Sequence, residues 1–174
     1  MKLGDRPELY VRLLGPPEFI LNGERVSFHT RKTAALCTYV ACQASRRVER
    51  STLSELLWGA TEARFARGSL RTALSILCRG GATRHILERD RNTVWFAGDP
   101  ANSDLAHFHQ CIARGTERGY REALVLWRDE PLRAVEVGEP AFDDWAAEFR
   151  QNTISFAYRY LTERLSAFTG SAAT

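Results

Sequence analysis

The sequence predicts an α+β head followed by an all-α tail, the head built from a small antiparallel sheet, three helices and a closing β-hairpin. Three observations carry that prediction. Strand-like apolar segments, joined by an Asn22-Gly23 turn, open the chain. The period then switches to 3.6 over three successive segments, of which Thr61 to Gly81 is the most plainly two-faced. After a second hairpin the charge inverts: residues 1–98 hold 16 Lys and Arg against 9 Asp and Glu, whereas residues 99–174 hold 8 against 12. We place the domain boundary at that inversion, giving 1–98 and 99–174.

Taken in order, Leu9-Tyr10-Val11-Arg12-Leu13-Leu14 is the first strand, broken by Gly15-Pro16-Pro17, and Glu18-Phe19-Ile20-Leu21 is the second. Glu24-Arg25-Val26-Ser27-Phe28 alternates as a third. Thr30 is placed to cap a helix running to about Ala44, with Leu36, Tyr39 and Val40 facing inward. Arg31 and Lys32 sit in its first turn, where the helix dipole favours acids; either local pairing or a phosphate contact accounts for them. Arg46-Arg47-Val48-Glu49-Arg50 links to a second helix. There Thr52-x-x-Glu55 matches a capping box, and Leu53, Leu56, Leu57 and Trp58 supply the core face.

The third helix is the element around which the chain is organised. Ala66, Leu70, Ala73, Leu74 and Leu77 fall in one arc. The opposite arc carries Arg64, Arg67, Gly68, Arg71, Ser75 and Arg79, flanked by Thr72 and Cys78. Thr61 is expected to cap the start and Gly80-Gly81 to stop the helix. Four arginines on one face, with almost no acid among them, depart from the mixed signs of most polar faces. On its own the helix fits either a solvated basic surface or a recognition helix, since arginine forks onto guanine edges and clamps phosphates. After it, His85-Ile86-Leu87-Glu88-Arg89 and Thr93-Val94-Trp95-Phe96 flank Asp90-Arg91-Asn92, a hairpin with Arg91 at its tip. Sheet, three helices, hairpin is the order of a winged helix-turn-helix, whose third helix enters the major groove while the wing reaches the backbone or minor groove.

Composition narrows the function class. At 44% hydrophobic and 26% charged residues the chain matches a water-soluble globular protein. No apolar run approaches the ~20 residues of a membrane span. Cys37, Cys42, Cys78 and Cys111 lack C-x-x-C spacing, and most of them read as buried free thiols in a cytoplasmic protein. His107 and His109 point ~200° apart on a helix, which argues against a metal pair. With no nucleophile–His–Asp pattern and no phosphate-binding glycine loop, we expect no catalytic residue, no metal and no cofactor. Asp143-Asp144 reads as a solvated helix start.

Leu13-Leu14-Gly15, Arg31-Lys32, Leu56-Leu57-Trp58 and Leu70-Arg71-Thr72-Ala73-Leu74-Ser75 together resemble the OmpR/PhoB-type winged-helix domain. More narrowly, they resemble the version found in Streptomyces antibiotic regulatory proteins, over roughly residues 9–97. The resemblance implies binding to promoter DNA, commonly at direct repeats, with contact to RNA polymerase. It departs at Ile76 and Cys78, where the family often has Arg, which bears on base preference and affinity. Gly68 lies inside the recognition helix at about 1 kcal/mol relative to Ala. Ser103-Asp104-Leu105 with Phe108, Glu122 to Arg128, and Phe142-Asp143-Asp144-Trp145 resemble the bacterial transcriptional activator domain that follows this head. Its tetratricopeptide-like hairpins would continue beyond Thr174, so the resemblance implies an abbreviated or truncated tail. A closing amphipathic helix carries Trp145, Phe149, Ile154, Phe156, Tyr160, Leu161, Leu165 and Phe168.

Two functions from different classes follow. The first is a DNA-binding transcriptional regulator. Arg64, Arg67, Arg71, Thr72, Ser75 and Arg79 would face the groove, and Arg89, Arg91, Asn92, Arg31 and Lys32 would serve the wing and backbone contacts. The second is a winged helix that has lost DNA affinity and docks onto protein within a larger signalling molecule. In either case the tail is expected to pack on the first sheet or first helix and leave the arginine face open. An aromatic-rich short tail is also expected to pair two chains into a homodimer, which suits direct repeats about one helical turn apart.

Overall fold

Alternation in the first strand does what its pattern demands: Leu9 and Val11 are buried while Tyr10 and Arg12 lie at the surface of the core. In the structure, a computed structural model that describes residues 7–44 and 46–171 with side chains as far as residue 162, this strand is β1 (Leu9–Arg12). It pairs antiparallel with β2 (Glu18–Leu21), and β2 pairs with β3 (Glu24–Arg25), in the order β1-β2-β3. Asn22 and Gly23 both have positive φ, 50° and 85°, as the two-residue turn between β2 and β3 requires. β3 is shorter than the alternation of residues 24–28 predicts. Val26 N still donates to Phe19 O (2.8 Å), but Phe28 then folds edge-on against Phe19 instead of extending the ladder.

β1 also ends two residues before the predicted Leu14. Its continuation is claimed by the tail: the N–H groups of Leu13 and Leu14 donate to the Asp104 carboxylate (2.7 and 3.0 Å), and Leu13 O accepts from Leu132 N (3.0 Å). Burial raises the Asp104 carboxyl above its ordinary value even though both N–H bonds and Arg128 pull the other way. A carboxylate taken from water is stabilised only in part by such partners.

Helix α1 (Arg31–Cys42) carries a reciprocal cap. Thr30 Oγ1 accepts from Thr33 N (3.1 Å) while Thr33 Oγ1 accepts from Thr30 N (3.2 Å). Two expected caps are not made. α2 (Arg50–Trp58) starts two residues before Thr52, because Val48–Glu49 forms a short strand, β4, and Arg50 N donates to Asn92 O (2.9 Å). Thr52 is therefore inside the helix and cannot box with Glu55. Thr61 Oγ1 donates back to Trp58 O (2.9 Å), closing α2, and the N-cap of α3 (Ala63–Arg79) is Glu62, which makes no side-chain cap. A 3-10 turn over Ala82–His85 follows, in which Thr83 Oγ1 returns to Leu77 O (2.8 Å). The hairpin is β5 (Leu87–Arg89) and β6 (Thr93–Phe96), and the second sheet has the order β4-β6-β5.

The tail is helical, as predicted: α4 (Asp104–Ala113), α5 (Glu117–Leu126) and the long α6 (Pro140–Ser171). Ser103 and Thr116 cap α4 and α5 through their hydroxyls (3.1 Å each). The start of α6 sits in the head: Phe142 and Ala146 share one core with Leu36, Leu53 and Leu74, and Trp145 stands edge-on to Tyr39 (4.7 Å). Farther along, Phe156, Tyr160 and Leu161 pack on a second cluster around Phe108, Ile112 and Ala157. Leu165 and Phe168 of the predicted stripe lie outside the described side chains. Asp143 is not the solvated helix start expected; its carboxylate accepts from Val137 N and Gly138 N (3.0 and 3.1 Å), turning the chain into α6. Cys37, Cys42, Cys78 and Cys111 are free thiols, and burial raises that of Cys37.

Candidate nucleic-acid interface

The two arcs of α3 separate as their spacing predicts. Ala66, Leu70, Ala73, Leu74 and Leu77 are buried, so the helix is fixed by its apolar stripe. Truncating any of these leucines to Ala would remove about 2–5 kcal/mol. Arg64, Arg67, Arg71, Thr72 and Arg79 are exposed and Ser75 is half-buried. The tail packs on α1, α2 and β1 and leaves these side chains uncovered, although its Val137 borders a groove beside Thr72.

These side chains are not equally free. Arg64 pairs with Glu62 (3.1 Å) and lies over the Phe65 ring (4.4 Å). With both partners exposed, the pair is worth little and breaks easily. Arg79 Nε donates to Ser75 Oγ (3.0 Å), so the serine's acceptor is engaged by its neighbour one turn on. Thr72 Oγ1 donates to Gly68 O (3.1 Å). Arg67 and Arg71 have no ion-pair or hydrogen-bond partner among the described residues. They are the two uncommitted guanidinium groups at the middle of the face.

The wing is built by Asp90. Its carboxylate accepts from Thr93 N (2.7 Å), Asn92 N (2.8 Å) and the Thr93 hydroxyl (2.9 Å), and pairs with Arg47 (2.7 Å). The Thr93 and Asn92 N–H groups, with the Thr93 hydroxyl and Arg47 behind them, hold that carboxyl below its usual range. The turn is thereby fixed without using Arg91, which stands exposed at the tip with no partner among the described residues. Arg89, exposed on β5, is likewise without a partner there. Arg91 and Asn92 meet Arg67 and Arg71 across a cleft of about 350 Å³ closed by Glu49, Arg50 and Ser51. The structure thus brings wing and third helix to one concave basic surface.

Two arginines were not among the predicted ones, Arg50 lining that surface and Arg47 behind the wing. Arg50 Nη2 donates to Asp90 O (2.6 Å), while its Nε is buried with no acceptor among the described residues. Arg47 stacks on Trp95 (3.8 Å). The signal was the basic run at 46–50, which reads as a linker until β4 ties it to the wing. Arg31 and Lys32 lie apart from the cleft, at the start of α1. Arg31 is exposed, but Lys32 Nζ pairs with Glu139 Oε1 (2.6 Å), so local pairing accounts for the lysine. Burial alone would raise the Glu139 carboxyl. The Lys32 ammonium and the Ala60 N–H (3.2 Å) outweigh it and hold the group below its ordinary value.

His107 and His109 diverge as predicted, His107 towards Tyr10 (Nδ1 to hydroxyl, 3.3 Å) and His109 towards Phe156. Among the described residues no His, Cys, Asp and Glu side chains group as a metal site, and no helix is long and apolar enough to cross a membrane.

The fold is similar to that of Mycobacterium tuberculosis EmbR, a protein solved in complex with a low-affinity phosphopeptide. The likeness has a TM-score of 0.67 at 22% sequence identity and covers 91% of this chain. It takes in 45% of the EmbR chain, so this chain spans less than half of EmbR's length. At that identity the likeness establishes the fold, a winged helix with a helical extension, and not an activity. No protein-family model matches the chain, and no curated protein matches it either.

Proposed function

We propose that the chain is a sequence-specific DNA-binding transcriptional regulator, in which α3 enters the major groove and the wing lies on the backbone. The observation that carries this reading is the surface shared by Arg67, Arg71 and Arg91: three exposed guanidinium groups without acid partners among the described residues, on elements spaced as a winged helix spaces them. In such a surface Arg67 and Arg71 suit guanine edges, and Arg91 suits a phosphate. Arg64, Thr72, Ser75 and Arg79 flank the readers, while Arg89 and Asn92 extend the wing contact. The sequence resemblance adds promoter repeats as the target, activation as the outcome and RNA polymerase as a partner. It also supports residues 1–98 as the DNA-binding unit and 99–174 as a tetratricopeptide-like activator unit. The protein would act in the cytoplasm, as a homodimer on repeated sites, without catalysis, metal or cofactor.

A second reading is favoured by one observation. Phe65 is 55% exposed and Ile76 37% exposed, and both border a groove with Trp58 and Gly68 beside the arginine face. Large apolar side chains in that position suit a protein partner, as a docking module would need. The EmbR complex with a phosphopeptide adds support for protein partners of this fold. A gel-shift titration with random-sequence duplex DNA at low salt tests the choice. DNA binding would be visible and would fall steeply as salt rises; absence of any shift would leave the docking module.

A further inference from the structure

Away from the arginine face, a cavity of about 530 Å³ opens where head and tail meet, a size typical of small-molecule sites. Ala34, Ala35 and Thr38 of α1 form one side, Phe19 and Phe28 another, and the segment 133–137 the third. Three features distinguish it from a packing defect. Thr38 is 1% exposed, yet its hydroxyl has no hydrogen-bond partner among the described residues. Thr72 and Thr153, also on helices, return theirs to the carbonyl four residues back (3.1 and 2.8 Å). That hydroxyl lines the cavity and is free to bond an occupant there.

Arg31 stands at the rim as the first residue of α1, with no acid in that turn and no partner among the described residues. Helix end and guanidinium contribute positive potential on that side, opposed by the Glu136 carboxylate on the 133–137 wall. Arg133, also at the rim, is offset by Asp129, so Arg31 is the uncommitted cation. Finally, the tail segment enters the wall in unfavourable backbone, Leu132 and Ala134 having φ of 53° and 61°. Leu132 N to Leu13 O and the Asp143 bonds to Val137 and Gly138 hold it there. Such conformations persist where surrounding contacts impose them, and they concentrate at ligand clamps.

We propose that this cavity binds a small amphipathic carboxylate, its apolar body between Phe19, Phe28 and Val135, its carboxylate on Arg31, and a polar atom within reach of the Thr38 hydroxyl. Because α1 belongs to the head and residues 133–137 to the tail, an occupant touches both and stabilises their docking by mass action. The site is independent of the DNA reading.

The full chain is titrated calorimetrically, and by thermal shift, with phenylacetate and octanoate against phenylacetamide and octylamine. The carboxylates should bind saturably at one site and raise Tm with concentration, at least tenfold tighter than their neutral or cationic counterparts. Ala34→Leu, at a half-buried position whose side chain would enter the cavity, should abolish binding, and Arg31→Gln should weaken it at least tenfold. Thr38→Val should weaken binding while leaving the Tm of the empty chain unchanged or higher, because it removes a hydroxyl without a partner. A merely structural Thr38 would instead lower that Tm. Equal affinity for acid and amide, preference for the amine through the rim carboxylate of Glu136, or wild-type binding by Ala34→Leu would each overturn the proposal.

Discussion

Replacing Asp104 by Ala should separate the stability of the protein from its proposed interface. The carboxylate is buried and accepts from two main-chain N–H groups, those of Leu13 and Leu14. Without it, two buried donors face no acceptor, at about 1–3 kcal/mol each. The wild type also buries a carboxylate, which burial disfavours enough to raise its pKa, and removing it returns part of the loss. A net destabilisation of about 2–4 kcal/mol is expected on this balance. Asp104→Asn keeps one carbonyl oxygen and turns an amide N–H towards the other donor, so it should fall between Ala and wild type. Urea denaturation followed by circular dichroism measures both, with midpoint shifts at unchanged m marking a stability effect. A loss below about 1 kcal/mol in the Ala variant, or an Asn variant as stable as wild type, would refute the assigned role. DNA affinity of the folded fraction should not change, since Asp104 is remote from α3.

Other expectations follow from the same geometry. Arg91→Ala should weaken specific and random DNA nearly alike and make the salt dependence shallower by about one ion, read by fluorescence anisotropy across a salt series. Glu139→Gln should alter the acid limb of stability. A carboxyl held below its ordinary 4.5 stabilises the fold fully above that value and loses its contribution as pH falls through the lowered one. The wild-type advantage over Gln should therefore be constant from neutral pH to about 4.5 and shrink below it, in thermal melts at stepped pH. Gly15→Ala should be destabilising by about 1–2 kcal/mol, because φ there is +136° and the new methyl would lie 3.4 Å from the Arg128 guanidinium.

What could be read from the sequence divides along interaction range. The faces of α3 were legible because Leu70, Leu74 and Leu77 repeat within one helix, and the β2–β3 turn because Asn22-Gly23 has few other conformations to choose. The Thr30 cap was legible for the same local reason, although its partner proved to be Thr33. The misplaced boundaries trace to distant residues. Leu13 and Leu14 left the first strand for a carboxylate 91 and 90 positions away, and Lys32 met Glu139 across 107. The Thr52-x-x-Glu55 box gave way when pairing of Val48 with Val94 drew the helix start back to Arg50. The same pairing turned the end of the basic run at 46–50, Glu49 and Arg50, from a linker into one side of the candidate site. A two-residue strand has too few side chains to announce itself by alternation.

On this reading α3 recognises bases through the uncommitted arginines at its middle. The most direct test uses a site selected from a random DNA pool and compares specific with random affinity for wild type and Arg71→Ala over a range of salt. We expect the variant to lose about 1–3 kcal/mol on the selected site and little on random DNA, so that its specificity ratio falls roughly five- to 150-fold at every salt concentration. An unchanged ratio in Arg71→Ala, repeated in Arg67→Ala, would contradict base reading by this helix.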